Sequence, residues 1–120
     1  MGLSVVDEAG LRVVEGMPDQ RLMSLADDAG LLVEACLSHD VRLALLYAGN
    51  LPDAFFDLSS GEAGVMLQKL RNYGVRLALV CPEGSARFSN RFREMVAEER
   101  TRSDFGIFAT RESARQWLGG

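Results

Sequence analysis

Two adjacent serines, Ser59 and Ser60, stand directly before Gly61, where a loop should pass into a helix. A phosphate on Ser60 would lie beside the free backbone N–H groups and the positive end of the helix dipole. It would also add about −1.5 to −2 charges, enough to alter any partner surface built on this loop. The simpler interpretation is that Ser59 or Ser60 is the helix N-cap, a role typically worth about 1 kcal/mol, and the two roles can coexist.

The loop before these serines contains two consecutive aromatic residues, Phe55 and Phe56. In an extended backbone they would point to opposite sides, one into the core and the other into an exposed apolar patch of the kind that marks interaction sites. A fully buried pair is the alternative. The predicted partner-binding surface consists of Asn50, Leu51, Phe55, Phe56 and Gly61.

Gly61 and Gly64 are spaced unlike the glycines of either a dinucleotide-binding fingerprint or a P-loop. We therefore expect no nucleotide site, and interpret these glycines as positions of close packing between helix and sheet. Cys36 and His39 are three residues apart, but Cys36 belongs to an apolar helical stripe, and a buried thiol is usually inert. The sequence thus predicts no catalytic residue, no metal site and no cofactor.

The candidate residues lie between predicted strands and helices that alternate along the chain, in the order β-β-α-β-α-β-α-β-α. A hairpin with its turn at Asp7–Gly10 opens the chain, and the crossovers that follow indicate a mostly parallel sheet. The predicted strands cover Leu3–Val6, Leu11–Glu15, Val41–Tyr47, Val75–Cys81 and Phe105–Ala109. Four helices are predicted. The first begins near Ser24, and the second covers about Gly61–Tyr73 with Gly74 as its stop. The third has Phe88, Phe92, Met95 and Val96 on one face, and the fourth begins after Thr110 as its N-cap. We expect one α/β domain over residues 1–120.

The composition is that of a globular protein, with 120 residues, 48% of them apolar and 25% charged, and a net charge of −4. Residues 1–70 carry four basic and eleven acidic side chains, whereas residues 71–120 carry nine basic and six acidic ones. The overall charge argues against general nucleic-acid binding. Two alternatives remain for the arginine-rich set, a patch for an acidic partner or a solvated helix face, and we favour the latter. That set is Arg87, Arg91, Arg93, Arg100 and Arg102.

A longer pattern covers the serine loop and the helix after it. The run from Phe55 to Gly64, followed by Leu67-Gln68-Lys69 and Asn72-Tyr73-Gly74, resembles the bacterial family known as domain of unknown function 4180. The resemblance extends over roughly residues 20–118 and implies a small uncharacterised protein.

A more distant likeness is to the STAS domain of anti-sigma-factor antagonists, because a strand, a loop ending in Asp57-Leu58-Ser59-Ser60-Gly61 and a helix follow one another in this chain. The loop of the antagonists has Asp-Ser-Ser-Gly, and Leu58 is an insertion relative to that pattern. This resemblance implies a STAS-like single domain with a four- or five-stranded sheet, an N-terminal antiparallel pair and helices mainly on one face. In the antagonists a serine of this loop is phosphorylated by a partner kinase. The resemblance therefore implies Ser60 and Ser59 as candidate phosphoregulatory residues, with Asp57 as the nearby acid.

Together these observations predict a non-enzymatic protein-interaction or regulatory module that binds a protein partner or a second copy of itself. No leader-like or membrane-spanning segment is evident in the sequence, so we expect a cytoplasmic protein. The alternative is a small enzyme or ligand-binding domain with a pocket at the carboxyl ends of the parallel strands. A pocket converging on Asp57, Ser60 and His39 would favour that alternative, and a flat apolar patch around Phe55 would favour the module.

Overall fold

Five strands form one sheet in the order in which they occur along the chain. The computed structural model describes residues 3–17, 29–51, 53–57, 61–82, 94–98 and 104–119. The strands are β1 (Leu3–Glu8), β2 (Leu11–Gly16), β3 (Leu43–Tyr47), β4 (Arg76–Val80) and β5 (Phe105–Phe108). The helices are α1 (Ala29–Ser38), α2 (Glu62–Asn72), α3 (described over residues 94–98) and α4 (Arg111–Gly119).

The first two strands form a hairpin with a two-residue turn. Ala9 and Gly10 both have positive φ, 53° and 81°, and Glu8 pairs with Leu11 on either side of them. Two left-handed residues are the geometry of the type I′ turn, which matches the twist of the flanking strands. The predicted turn over Asp7–Gly10 is therefore too long, because β1 continues to Glu8.

The remaining pairings, β2 with β3, β3 with β4 and β4 with β5, are all parallel. The predicted α/β class, the antiparallel N-terminal pair and the mostly parallel sheet are thus confirmed. Because every crossover steps to the next strand in the same direction, right-handed connections place the crossover helices on one face. The helix α4, which follows β5, packs on the opposite face.

The sheet separates two apolar clusters. Alternate residues of each strand face α1 and α2 or face α4, so the central strands are buried on both sides. The larger cluster, on the α1 and α2 side, includes Val14, Leu32, Ala44, Leu46, Phe55, Met66, Leu70, Leu77, Leu79 and Phe105. The smaller cluster, under α4, includes Val13, Leu45, Ala78, Val80, Phe108, Ala114 and Leu118.

Several predicted helix signals are confirmed. Gly74 has a φ of 71° directly after Tyr73, the C-cap residue of α2. The Thr110 hydroxyl accepts a 3.1 Å hydrogen bond from the Ser113 N–H as the cap of α4. Met95 and Val96 pack against the larger cluster, on the side of α1 and α2. The predicted start near Ser24, the aromatic residues Phe88 and Phe92, and the arginine-rich set lie outside the described residues.

The end of α4 is fastened to the start of β4. Arg76 donates hydrogen bonds to the carbonyl oxygens of Leu118 and Trp117, at 3.2 and 3.3 Å, and its guanidinium lies 4.4 Å from the centroid of the Trp117 ring. A cation at the last carbonyls of a helix also complements the helix dipole.

Within the described part of the chain, no helix is long and apolar enough to cross a membrane.

Candidate functional site

The connection between β3 and α2 contains two short 3-10 turns, Ala48–Asn50 and Asp53–Phe56. In the first turn, the Asn50 Oδ1 accepts a 2.8 Å hydrogen bond from the Tyr47 N–H, and its Nδ2 donates to the Met17 carbonyl at 2.6 Å. These two bonds tie the end of β3 to the end of β2. Asn50 is fully buried, so its predicted place on a partner-binding surface is wrong.

The apolar members of the predicted surface are also buried. Phe55 and Phe56 are 1% and 8% exposed, Leu51 is buried beside them, and the two phenylalanine rings meet edge to face with centroids 5.3 Å apart. The 3-10 turn explains the difference, because consecutive side chains then lie about a third of a turn apart instead of on opposite sides. The fully buried pair is therefore correct, and the predicted apolar patch around Phe55 is wrong.

At the end of the connection, Asp57 and Gly61 face solvent. Ser59 and Ser60, between them, lie outside the described residues, and their phosphoregulatory role stays a prediction. Gly61 occupies the N-cap position of α2 with a φ of 78°, a backbone conformation that glycine adopts without strain. Gly61 thus stands at the position that the sequence analysis gave to Ser59 or Ser60.

The outer surface of α2 continues from Gly61 as an uncharged strip. We call this strip the α2 outer face; its members are Gly61, Gly64, Val65, Gln68 and Asn72, and all are exposed. Val65 is 52% exposed, and the Gln68 Nε2 donates a 2.9 Å hydrogen bond to the Asn72 Oδ1. Gly61, Gly64, Gln68 and Asn72 follow one another at intervals of three or four residues and Val65 adjoins Gly64, so all five lie on one side of the helix.

Gly64 is the unusual member of the α2 outer face. A Cβ added to Gly64 would meet no described atom within 4 Å, so the predicted close packing of this glycine against the sheet is wrong. Glycine inside a helix costs about 1 kcal/mol relative to alanine, because it loses more backbone freedom on folding. No contact among the described residues offsets that cost.

A second group of side chains, which the sequence analysis missed, joins α4 to the hairpin. Arg111 donates hydrogen bonds to the Glu15 carboxylate at 2.9 and 3.1 Å, and it forms a bidentate pair with the Glu8 carboxylate. The Arg115 Nη1 donates to the Glu15 Oε1 at 2.5 Å. Glu15 and Arg115 are buried, 6% and 9% exposed. The Arg111 hydrogen bonds lower the pKa of the Glu8 carboxyl, and burial, together with the Glu15 charge, raises the pKa of Tyr47.

Arg115 also reaches the hairpin turn itself, donating to the carbonyl oxygens of Leu11 at 2.8 Å and Glu8 at 3.4 Å. Two carboxylates and two guanidiniums thus balance one another, and their geometry fastens α4 to the turn. A signal for this cluster was present in the sequence, because Arg111 and Arg115 share the stripe of α4 that carries the buried Ala114 and Leu118.

The thiol and imidazole considered from the sequence occupy different environments. Cys36 is buried, and burial raises the pKa of its thiol to about 11, so it stays protonated near neutral pH. His39 is exposed in the turn after α1. Among the described residues, no three His, Cys, Asp or Glu side chains are grouped as a metal ion would require.

The five-stranded mixed sheet with its exposed α2 outer face defines a small α/β domain. Residues 8–118 match the family described as Domain of unknown function (DUF4180), and because the match covers most of the chain, the chain belongs to this family. Searches of the curated proteins and of the solved structures each found no match.

Proposed function

We propose that this protein is a non-enzymatic protein-interaction or regulatory module, and that a protein partner docks on the α2 outer face. The observation that carries the proposal is Gly64, a solvent-facing glycine inside a helix with no described neighbour that needs its missing Cβ. Selection for stability alone would favour alanine there. A partner that approaches the helix backbone closely explains glycine, since any side chain would hold it away.

The surroundings of Gly64 suit such a contact. Val65 offers exposed apolar area, and the Gln68 and Asn72 amides offer donors and acceptors without a charge that would have to be desolvated. Asp57, exposed before the helix, adds an acidic group at the end of the connection. A neutral strip of this kind fits the surface of another folded protein better than it fits a small charged ligand.

The serines provide a means of regulation. Ser59 and Ser60 directly precede Gly61 in the sequence, so a phosphate on either would add charge beside an otherwise neutral contact strip. The resemblance to STAS domains supports the same idea. We expect Ser60→Asp to weaken partner binding and Ser60→Ala to preserve it; equal recovery of the same partners with both variants would contradict the switch.

The docking proposal is tested by placing a charged side chain at Gly64, where the wild type has no side chain. Full-length tagged protein is expressed in its native host as wild type, Gly64→Arg and Gln116→Arg, and the captured proteins are quantified by mass spectrometry. Gln116 is an exposed residue of α4, on the opposite side of the sheet, and serves as the matched control. We expect a partner that wild type and Gln116→Arg recover equally and Gly64→Arg loses at least about tenfold, a loss of about 1.4 kcal/mol. Equal recovery by both variants, or no partner with wild type, would overturn the proposal.

A small enzyme or ligand-binding domain remains the second candidate. Its support is the group of interacting ionisable side chains at the carboxyl ends of β2 and β3, where Glu15, Tyr47 and Arg111 meet. A thermal-shift screen of metabolites against wild type and Tyr47→Phe tests it. A ligand whose stabilisation of wild type disappears in Tyr47→Phe would favour this function, and an absence of hits would count against it.

A further inference from the structure

We propose that β1 pairs with β1 of a second copy of this chain, so that two five-stranded sheets join into one continuous sheet. This surface is separate from the α2 outer face, and it is the edge of the sheet rather than a helix. Among the described strands, β1 pairs only with β2. An unpaired edge presents a row of backbone donors and acceptors that another strand can use.

The register identifies which backbone groups point outward. Glu8 and Leu11 flank the two-residue turn, and in such a hairpin the flanking residues are a hydrogen-bonded pair. Pairs then alternate along the strand, so the N–H and C=O groups of Leu3, Val5 and Asp7 point away from β2. These three residues provide the backbone groups for a new strand.

The apolar side chains of β1, at this edge of the sheet, are less buried than those of β2. Val13 and Val14 of β2 are fully buried, whereas Leu3, Val5 and Val6 of β1 are only partly buried. Leu3 and Val5 pack against the larger apolar cluster from its outer side. A strand added beyond β1 would cover these half-exposed side chains, and removing their apolar surface from water favours association.

The distribution of charge along β1 favours antiparallel pairing with β1 of a second copy. The segment Leu3–Val6 is uncharged, and the acids Asp7 and Glu8 stand together at one end of β1. With Val5 opposite Val5 of the second copy, Leu3 lies opposite Asp7 and the acidic ends point apart. A parallel arrangement would place Asp7 against Asp7, which is unfavourable for directly opposed like charges. The antiparallel pairing also has the two-fold symmetry usual in homodimers.

The edge is already held in the shape that pairing requires. Arg115 donates hydrogen bonds to the carbonyl oxygens of Glu8 and Leu11 at the turn. Arg111 donates to the Glu8 carboxylate at the end of β1, so α4 keeps the hairpin in the plane of the sheet. A rigid edge loses little conformational entropy on association.

The first test removes one outward-pointing N–H group. The full chain is studied by sedimentation equilibrium over a concentration series as wild type, Val5→Pro and Val5→Ala. Proline at Val5 deletes a group that the hairpin itself does not use, while alanine keeps that group and loses the same packing. We expect wild type and Val5→Ala to dimerise and Val5→Pro to raise the dimer Kd at least about tenfold, with circular dichroism showing folded protein.

Cross-linking provides a second test that does not depend on the folding of the proline variant. In the antiparallel register, two Val5→Cys residues face each other with Cα atoms about 5.5 Å apart, within disulfide range. In Val6→Cys the two thiols lie further apart, which makes it the matched control; Cys36 and Cys81 are buried in both. Rapid disulfide-linked dimer with Val5→Cys and little with Val6→Cys supports the proposal. A monomeric wild type, equal cross-linking of both variants, or an edge that binds a strand of another protein instead would overturn it. Gly64→Arg leaves the dimer intact, so this proposal and the proposed function fail separately.

Discussion

Arg115 and Glu15 lie 100 positions apart in the chain, and the Arg115 Nη1 donates a 2.5 Å hydrogen bond to the Glu15 Oε1 in a buried contact between α4 and β2. Glu15 also accepts two hydrogen bonds from Arg111, so one carboxylate bridges two guanidiniums. The last helix is thereby fixed to the first hairpin, which stabilises both the turn and the edge strand beyond it.

Neutralising Glu15 should destabilise the protein strongly. Glu15→Gln leaves the buried Arg115 without a charged partner, and breaking a buried pair in this way typically costs about 3 to 5 kcal/mol. Urea unfolding followed by circular dichroism measures the loss. Glu112→Gln, an exposed substitution on α4, the helix that carries Arg115, is the control and should be about as stable as wild type. A Glu15→Gln protein as stable as the control would show that the cluster contributes nothing.

The pH dependence of stability should report on Glu8. Hydrogen bonds from Arg111 hold the pKa of the Glu8 carboxyl below its ordinary value of 4.5. A lowered folded-state pKa adds stability above pH 4.5, and that stability is lost as the pH falls through the lowered value. The difference in unfolding free energy between wild type and Glu8→Gln should therefore be largest near neutral pH and shrink in acid. A difference that is constant with pH would contradict this assignment.

Two glycines at the start of α2 should respond to alanine with opposite signs. Gly64→Ala places a methyl group in open space on a helix, so we expect stabilisation of about 0.5 to 1 kcal/mol. Gly61→Ala forces a side chain into a φ of 78° and should destabilise by about 1 kcal/mol. Thermal unfolding of both variants beside wild type checks the pair. Destabilisation by Gly64→Ala would mean that Gly64 has a structural role within the chain.

Asn50 should behave as a structural residue and not as a contact residue. Asn50→Ala removes hydrogen bonds to the Tyr47 N–H and the Met17 carbonyl and leaves both groups without that partner, at a cost of about 1 to 3 kcal/mol. Asn72→Ala, which removes an exposed hydrogen bond on α2, should cost much less. Chemical denaturation of the two variants compares them, and equal stability would contradict the account of Asn50.

Local signals in the sequence predicted most of the fold. The alternation of apolar strands and amphipathic helices predicted the parallel sheet, and Gly74 and Thr110 marked helix ends through backbone preference and capping. The same kind of signal failed at Phe55 and Phe56, because a 3-10 turn does not alternate its side chains as an extended loop does.

Features that depend on distant contacts were not predicted. The bond between Arg115 and Glu15 joins α4 to β2 across 100 positions of the chain, and no spacing rule connects residues so far apart. The exposure of Gly64 was not predicted either, because a glycine has no side chain whose polarity assigns it to one side of a helix, and its expected packing against the sheet was wrong. The exposed strip therefore became visible only with the tertiary structure.

The central claim is that a protein partner contacts the α2 outer face, and site-specific photo-cross-linking tests it most directly. A photoreactive amino acid replaces Gln68 in one variant and Gln116 in the other, both at exposed helix positions, and cells of the native host are irradiated. We predict a discrete cross-linked protein at position 68 and none at position 116. The same adducts at both positions, or none at position 68, would contradict the account.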